Sequence, residues 1–112
     1  MSPAQQAVQA AHACIEAARH YLKPEDTHPH LVFLTVADEE RLWRTVHRLQ
    51  DKSIQFQTFT EPDIGDQLTA LATAPISGEI RRVFRKYALL TGGQNGSNEN
   101  YQQDTTRLGL VE

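Results

Sequence analysis

Leu31-Val32-Phe33-Leu34-Thr35-Val36 is an almost unbroken run of β-forming residues, and Ala37-Asp38-Glu39-Glu40 follows at once. A short apolar run without polar alternation reads as a strand covered on both faces, and so as an interior strand of a sheet. Asp38 offers a side-chain oxygen to the free amides of a helix start. Leu42, Val46 and Leu49 then recur on one helical face, with Trp43 at its margin and Arg41, Arg44 and Arg48 on another. A strand feeding straight into an amphipathic helix points to an α/β chain.

Downstream of Lys52-Ser53, Ile54, Phe56 and Thr58 alternate with Gln55, Gln57 and Phe59, the period of a half-buried strand. Glu61-Pro62-Asp63-Ile64-Gly65 is a turn, with proline presetting its φ and glycine free to take a positive one. Leu68 to Thr73 reads as a further strand, ended by Pro75. Ser77 can cap a third helix, in which Ile80, Val83, Phe84 and Tyr87 form the buried stripe and Arg81, Arg82, Arg85 and Lys86 occupy the rest.

Upstream, Ser2-Pro3 is a helix start. Ala4, Ala7, Val8, Ala11, Cys14, Ile15, Ala18 and Leu22 recur at spacings of three and four. That predicts a long first helix to about residue 22, whose small apolar stripe can approach a sheet closely. Residues 23–29 are polar, carry Pro24 and Pro29, and form a loop. The order helix, strand, helix, strand, strand, helix predicts an α/β fold in which helices cover a small mixed β-sheet.

With 112 residues and 39% hydrophobic residues, one core is expected, within residues 1–90. Residues 91–104, rich in glycine, asparagine and glutamine, read as a flexible linker. In the tail, 105–112, Arg107-Leu108-Gly109-Leu110-Val111 is the one short apolar run. It is a candidate strand, added within its own chain or onto a second copy to give a homodimer.

A formal net charge of −3 excludes a uniformly basic surface, yet Arg81, Arg82, Arg85 and Lys86 cluster with only Glu79 opposing them. Such a face suits an RNA backbone, although a solvated helix face is the ordinary reading. No run approaches the roughly 20 apolar residues that cross a bilayer, and the start lacks a secretory layout, so a cytoplasmic protein without a membrane partner is expected. Cys14, the single cysteine, falls among apolar positions and reads as a reduced, inert thiol. His28 and His30 flank Pro29 without a third ligand nearby in sequence, so no metal site is expected. The chain has no Gly-x-Ser-x-Gly nucleophile turn, no phosphate-cradling glycine loop and no dinucleotide fingerprint.

Three segments together resemble the peptidyl-tRNA hydrolase family of archaea and eukaryotes. Ala7-Val8-Gln9-Ala10-Ala11-His12-Ala13 is similar to that family's helix signature, a glutamine followed three residues later by His-Ala. Val36-Ala37-Asp38-Glu39-Glu40 sits where the family starts its next helix after a buried strand. Glu61-Pro62-Asp63-Ile64-Gly65, with Leu68 to Pro75, resembles its Asp-Ala-Gly turn and closing strand. The resemblance covers most of residues 4–88.

It implies hydrolysis of the ester joining a peptide to the 3′ end of tRNA, with tRNA or peptidyl-tRNA as partner and no metal or organic cofactor. Of the family's functional residues, the turn aspartate falls on Asp63, the last-strand threonine on Thr69, and the first-helix lysine on Gln5. Three departures accompany it: the lysine is replaced, the loop between Asp63 and Thr69 is shorter, and the family's first strand has no counterpart.

Ester hydrolysis needs an activated water and a donor for the developing oxyanion. Asp63 would orient the water, the Thr69 hydroxyl or Gln5 amide would donate, and His12 is a candidate for acid–base work. Each residue also has a plain structural role open to it: a turn cap for Asp63, a satisfied strand hydroxyl for Thr69, helix packing for His12. Two functions follow, a peptidyl-tRNA hydrolase or a catalytically degenerate module of the same fold that binds RNA or a protein.

Overall fold

The first helix, α1 (Pro3–Tyr21), opens with a reciprocal cap. Ser2 Oγ accepts from the Gln5 backbone N–H at 3.2 Å, and Gln5 Oε1 accepts from the Ser2 N–H at 2.8 Å. Two amides that the helix itself cannot satisfy are thereby paired. The computed structural model describes residues 2–90 and the backbone of residues 107–111.

After α1 come β1 (His30–Thr35), α2 (Glu39–Asp51), β2 (Phe56–Glu61), a 3₁₀ turn (Pro62–Ile64), β3 (Gln67–Thr73), a second 3₁₀ helix (Gly78–Phe84), β4 (Ala88–Leu89) and β5 (Arg107–Val111). As expected, Asp38 caps α2, its Oδ1 accepting from the Arg41 N–H at 2.9 Å. Gly65 carries φ 71° at the end of the turn, a conformation that glycine adopts without strain.

One five-stranded sheet runs in the order β2-β3-β5-β1-β4. β5 lies parallel to β1 and antiparallel to β3, while β2 with β3 and β1 with β4 are antiparallel pairs. The small mixed α/β architecture read from the sequence is present. The residues expected to form a linker, 91–104, lie outside those described. Among the described residues no helix is long and apolar enough to cross a membrane.

Each face of the sheet has its own core. One cluster joins Leu42, Val46 and Leu49 of α2 to Leu34, Leu68 and Leu71 of the sheet, closed by Ile76, Val83 and Phe84. On the other, Ala10, Ala13 and Ala17 of α1 meet Ala70 and Ala72, with Phe33, Phe59 and Leu90 at the edge.

Five expectations are corrected here. The face that α1 buries is not the predicted stripe: Val8 and Ile15 are 53% and 56% exposed, and Ala10, Ala13 and Ala17 take their place. In an alanine-rich helix several faces are apolar, so spacing alone does not choose among them. β1 is interior by pairing but not covered throughout, since His30 and Leu31 are exposed. They precede the part of the strand that enters either cluster.

The third helix is a 3₁₀ helix over Gly78–Phe84, and Ser77 makes no side-chain cap bond there. Its stripe is shorter than predicted: Val83 and Phe84 are buried, while Ile80 is 53% exposed. A 3₁₀ helix rises about 2.0 Å per residue against 1.5 Å in an α-helix. The stretched form carries the short segment from Ile76 to β4, whose Leu89 pairs with Leu34.

Candidate active site

β2 and β3 do not pair one to one. Phe59 is matched with Ala70 and Thr60 with Leu68, so Thr69 has no residue opposite it. Thr69 is the extra residue of a β-bulge, a device that turns a side chain out of the regular alternation. Its hydroxyl meets Gln9 of α1, and the next residue, Ala70, packs in the α1 cluster as well. Two successive residues thus face the same helix.

Thr69 is fully buried, and its Oγ1 donates to Gln9 Oε1 at 3.0 Å, with Phe59 O a second acceptor at 3.3 Å. Gln9 Nε2 donates to Glu61 Oε2 at 3.1 Å. The direction of this chain is fixed by chemistry. An ionised carboxylate only accepts, so the amide nitrogen must face Glu61 and the amide oxygen must face Thr69. The other carboxylate oxygen, Glu61 Oε1, accepts from the Asp63 backbone N–H at 3.4 Å and caps the 3₁₀ turn. One hydrogen of the Gln9 amide remains without a partner among the described residues.

Around this chain the helix and the strand ends supply further polar groups. Gln6 Nε2 donates to Thr35 Oγ1 at 3.3 Å, at the carboxyl end of β1. Glu39, at the start of α2, accepts from the Leu68 N–H at 3.0 Å and from Trp43 Nε1 at 3.3 Å. This end of the sheet lies outside the carboxyl ends of parallel β1 and β5, where α/β sheets most often hold their ligands.

The residues singled out in the sequence occupy different settings. Asp63 sits exposed on the turn, and its carboxylate has no partner among the described residues. Thr69 is the buried anchor of the chain. His12 is exposed and stacked flat on Phe59, ring centroids 4.6 Å apart and planes 9° from parallel. Gln5 is turned away, its carbonyl oxygen held by the Ser2 N–H. The structure therefore connects Thr69 to the Asp63 turn through Gln9 and Glu61, and it does not bring the Gln5 amide to that chain.

Glu61 as a functional group was missed, and Gln9 had entered only as part of a helix signature. The available signal for Glu61 was its place before Pro62, where a carboxylate can cap the following turn.

Arg82, Arg85 and Lys86 are exposed, Arg81 is half-buried, and Arg81 Nε donates to Gly78 O at 3.2 Å. His28 and His30 line, with His20, an open groove of about 880 Å³ at the opposite end of the sheet. Among the described residues no group of three or more histidine, cysteine or acidic side chains is placed to hold a metal ion. Cys14 is half-buried beside the α1 core, and burial pushes its thiol pKa up, which disfavours the reactive thiolate.

Compared with known proteins, the chain matches no family model, no curated protein and no solved structure.

Proposed function

We propose that the chain is a peptidyl-tRNA hydrolase-like enzyme that cleaves the ester between an acyl group and the 3′ end of tRNA. The observation that carries this reading is the Glu61 carboxylate, held in place by a hydrogen-bonded chain anchored on the buried, bulged Thr69. A half-buried carboxylate at the mouth of a sheet end can orient a water and accept its proton as the water attacks the ester carbonyl. The unpartnered Gln9 N–H donates to the oxyanion that forms. The alkoxide of the tRNA ribose leaves with the proton that Glu61 took. Thr69 is a positioning residue, setting which end of the Gln9 amide faces the site. In this reading Asp63, exposed on the adjoining turn, assists Glu61 in holding the water.

The exposed basic residues Arg82, Arg85 and Lys86 support RNA as the alcohol half of the ester. Binding without cleavage is the second reading, and one observation favours it: Gln5 stands where the family has a lysine, and its side chain is committed to the helix cap.

Cleavage of peptidyl-tRNA by the purified chain tests the proposal. Glu61→Gln is expected to lower kcat by about 10²- to 10⁴-fold, the usual worth of a positioned base. Normal turnover by Glu61→Gln, with loss in Asp63→Asn instead, would move the base to Asp63. Intact ester after prolonged incubation with native protein that binds tRNA would establish the second reading.

A further inference from the structure

Some arginines and lysines of this surface are paired with acids and others gather in one groove. Arg19, Arg41 and Arg44 are each paired with an acid on their own helix: Glu16 at 3.3 Å, Asp38 at 2.9 Å and Glu40 at 3.0 Å. Arg48, Lys52 and Arg82 have no ion-pair partner among the described residues, and all three line one groove of about 520 Å³. Arg48 and Lys52 stand one turn apart at the end of α2, and Arg82 comes from the 3₁₀ helix Gly78–Phe84. Ile54, Ile80 and Val83 also line it, and among the described residues Glu79 is the one acidic residue in the lining.

Cations at a helix carboxyl end are favoured by the helix dipole, which accounts for Arg48 and Lys52 taken alone. It does not account for Arg82, which arrives from a separate element and places a third like charge on the same groove. Three like charges gathered against one counter-charge, Glu79, raise the free energy of the bare protein, and a bound polyanion relieves it. The paired Arg41 and Arg44 at the front of the same helix show what a merely solvated stripe looks like here.

We infer that the groove between the end of α2 and the 3₁₀ helix binds the phosphodiester backbone of an RNA strand, with Arg48, Lys52 and Arg82 on its phosphates. The choice of RNA over another polyanion rests on the tRNA reading above; the groove itself does not depend on ester cleavage. Glu39, near the other end of α2, is bonded to the strand that carries Thr69. Lys52 lies 13 residues further along the chain, about 20 Å at helical rise, or about six nucleotide steps of a stacked strand. RNA whose 3′ end reaches Glu61 is thereby held several nucleotides upstream.

Fluorescence anisotropy with uncharged tRNA, titrated over a range of salt concentrations, tests this. Arg48→Gln/Lys52→Gln/Arg82→Gln should weaken binding at least tenfold at low salt. It should also reduce the slope of log K against log salt by about 2 to 3, since each phosphate contact contributes about 0.7 to 0.9. Arg41→Gln/Arg44→Gln should leave both nearly unchanged, and the single Arg82→Gln should give a smaller loss with the native melting temperature.

Equal losses in the two sets, or an unchanged slope in the triple variant, would overturn the inference. So would binding to phosphatidylserine-containing vesicles in place of tRNA. Cleavage of peptidyl-tRNA by a protein that shows no salt-dependent tRNA affinity would remove the groove and leave the hydrolase reading standing. Salt-dependent binding through the three cations without cleavage would do the reverse.

Discussion

The two faces of the sheet are built from different materials. Under α2, leucines and a phenylalanine fill the space between helix and strands, and Leu42, Leu49, Leu68 and Leu71 are fully buried. Under α1, alanine meets alanine, so the helix backbone comes down close to the sheet and little apolar volume lies between them. Burial of large side chains carries most of the stabilising free energy of a core. The α2 face therefore holds the fold together. The α1 face uses its closeness for another purpose: glutamine side chains of ordinary length reach β1, β3 and the end of β2.

The largest test of that contrast removes volume where it matters. Leu71→Ala should destabilise the domain by about 2–5 kcal/mol, because the leucine is lost and a cavity stays behind. Denaturant unfolding measures it, and a loss below about 1 kcal/mol would mean that the α2 core is more pliable than its packing suggests.

On the α1 side the damaging change is the opposite one. Ala13→Leu should cost about 1–3 kcal/mol by forcing helix and sheet apart, although leucine is a good helix former and a large apolar side chain. If this variant is more stable than the native chain, the close approach of α1 is not a constraint and the contrast between the faces fails.

A smaller effect sharpens the functional side of the comparison. Thr69→Val keeps the shape of the side chain and removes the donor to Gln9, for about 1–2 kcal/mol of stability. Its consequence for peptidyl-tRNA cleavage should exceed its consequence for melting, because the Gln9 amide loses the contact that fixes its orientation. Replacement by serine should restore most of the activity. Equal loss in the valine and serine variants would assign Thr69 to packing alone.

The difference between the faces also governs what the sequence reveals. α2 was legible because its leucines, valine and arginines contrast sharply, and only one face of such a helix can be buried. α1 was legible as a helix, from Ser2-Pro3 and its periodicity, but not in its orientation: Ala10, Ala13 and Ala17 are no more apolar than Ala4, Ala11 and Ala18. The partners of Gln6 and Gln9 lie 29 to 60 positions away in the chain, and helical spacing carries no record of them. Thr69 was singled out by resemblance, yet its burial depends on a one-residue offset between β2 and β3 that neither strand shows by itself. Glu61 was hidden for a similar reason, since its importance comes from Gln9 approaching across the sheet. The 3₁₀ helix was misread because Ile80, Val83, Phe84 and Tyr87 fit an α-helical stripe as well as they fit the shorter buried contact that forms.

The position of β5 bears on how the chain comes to be folded. It follows β1 to β4 in sequence and lies between β3 and β1. During synthesis the residues of the β2–β3 hairpin and of the β1–β4 pair emerge before those of the strand that joins them. Until residues 107–111 emerge, the nascent chain has two unpaired edges on either side of a vacant central lane, the arrangement that invites wrong partners. β5 then closes contacts far apart in sequence, so the five-stranded sheet forms relatively slowly.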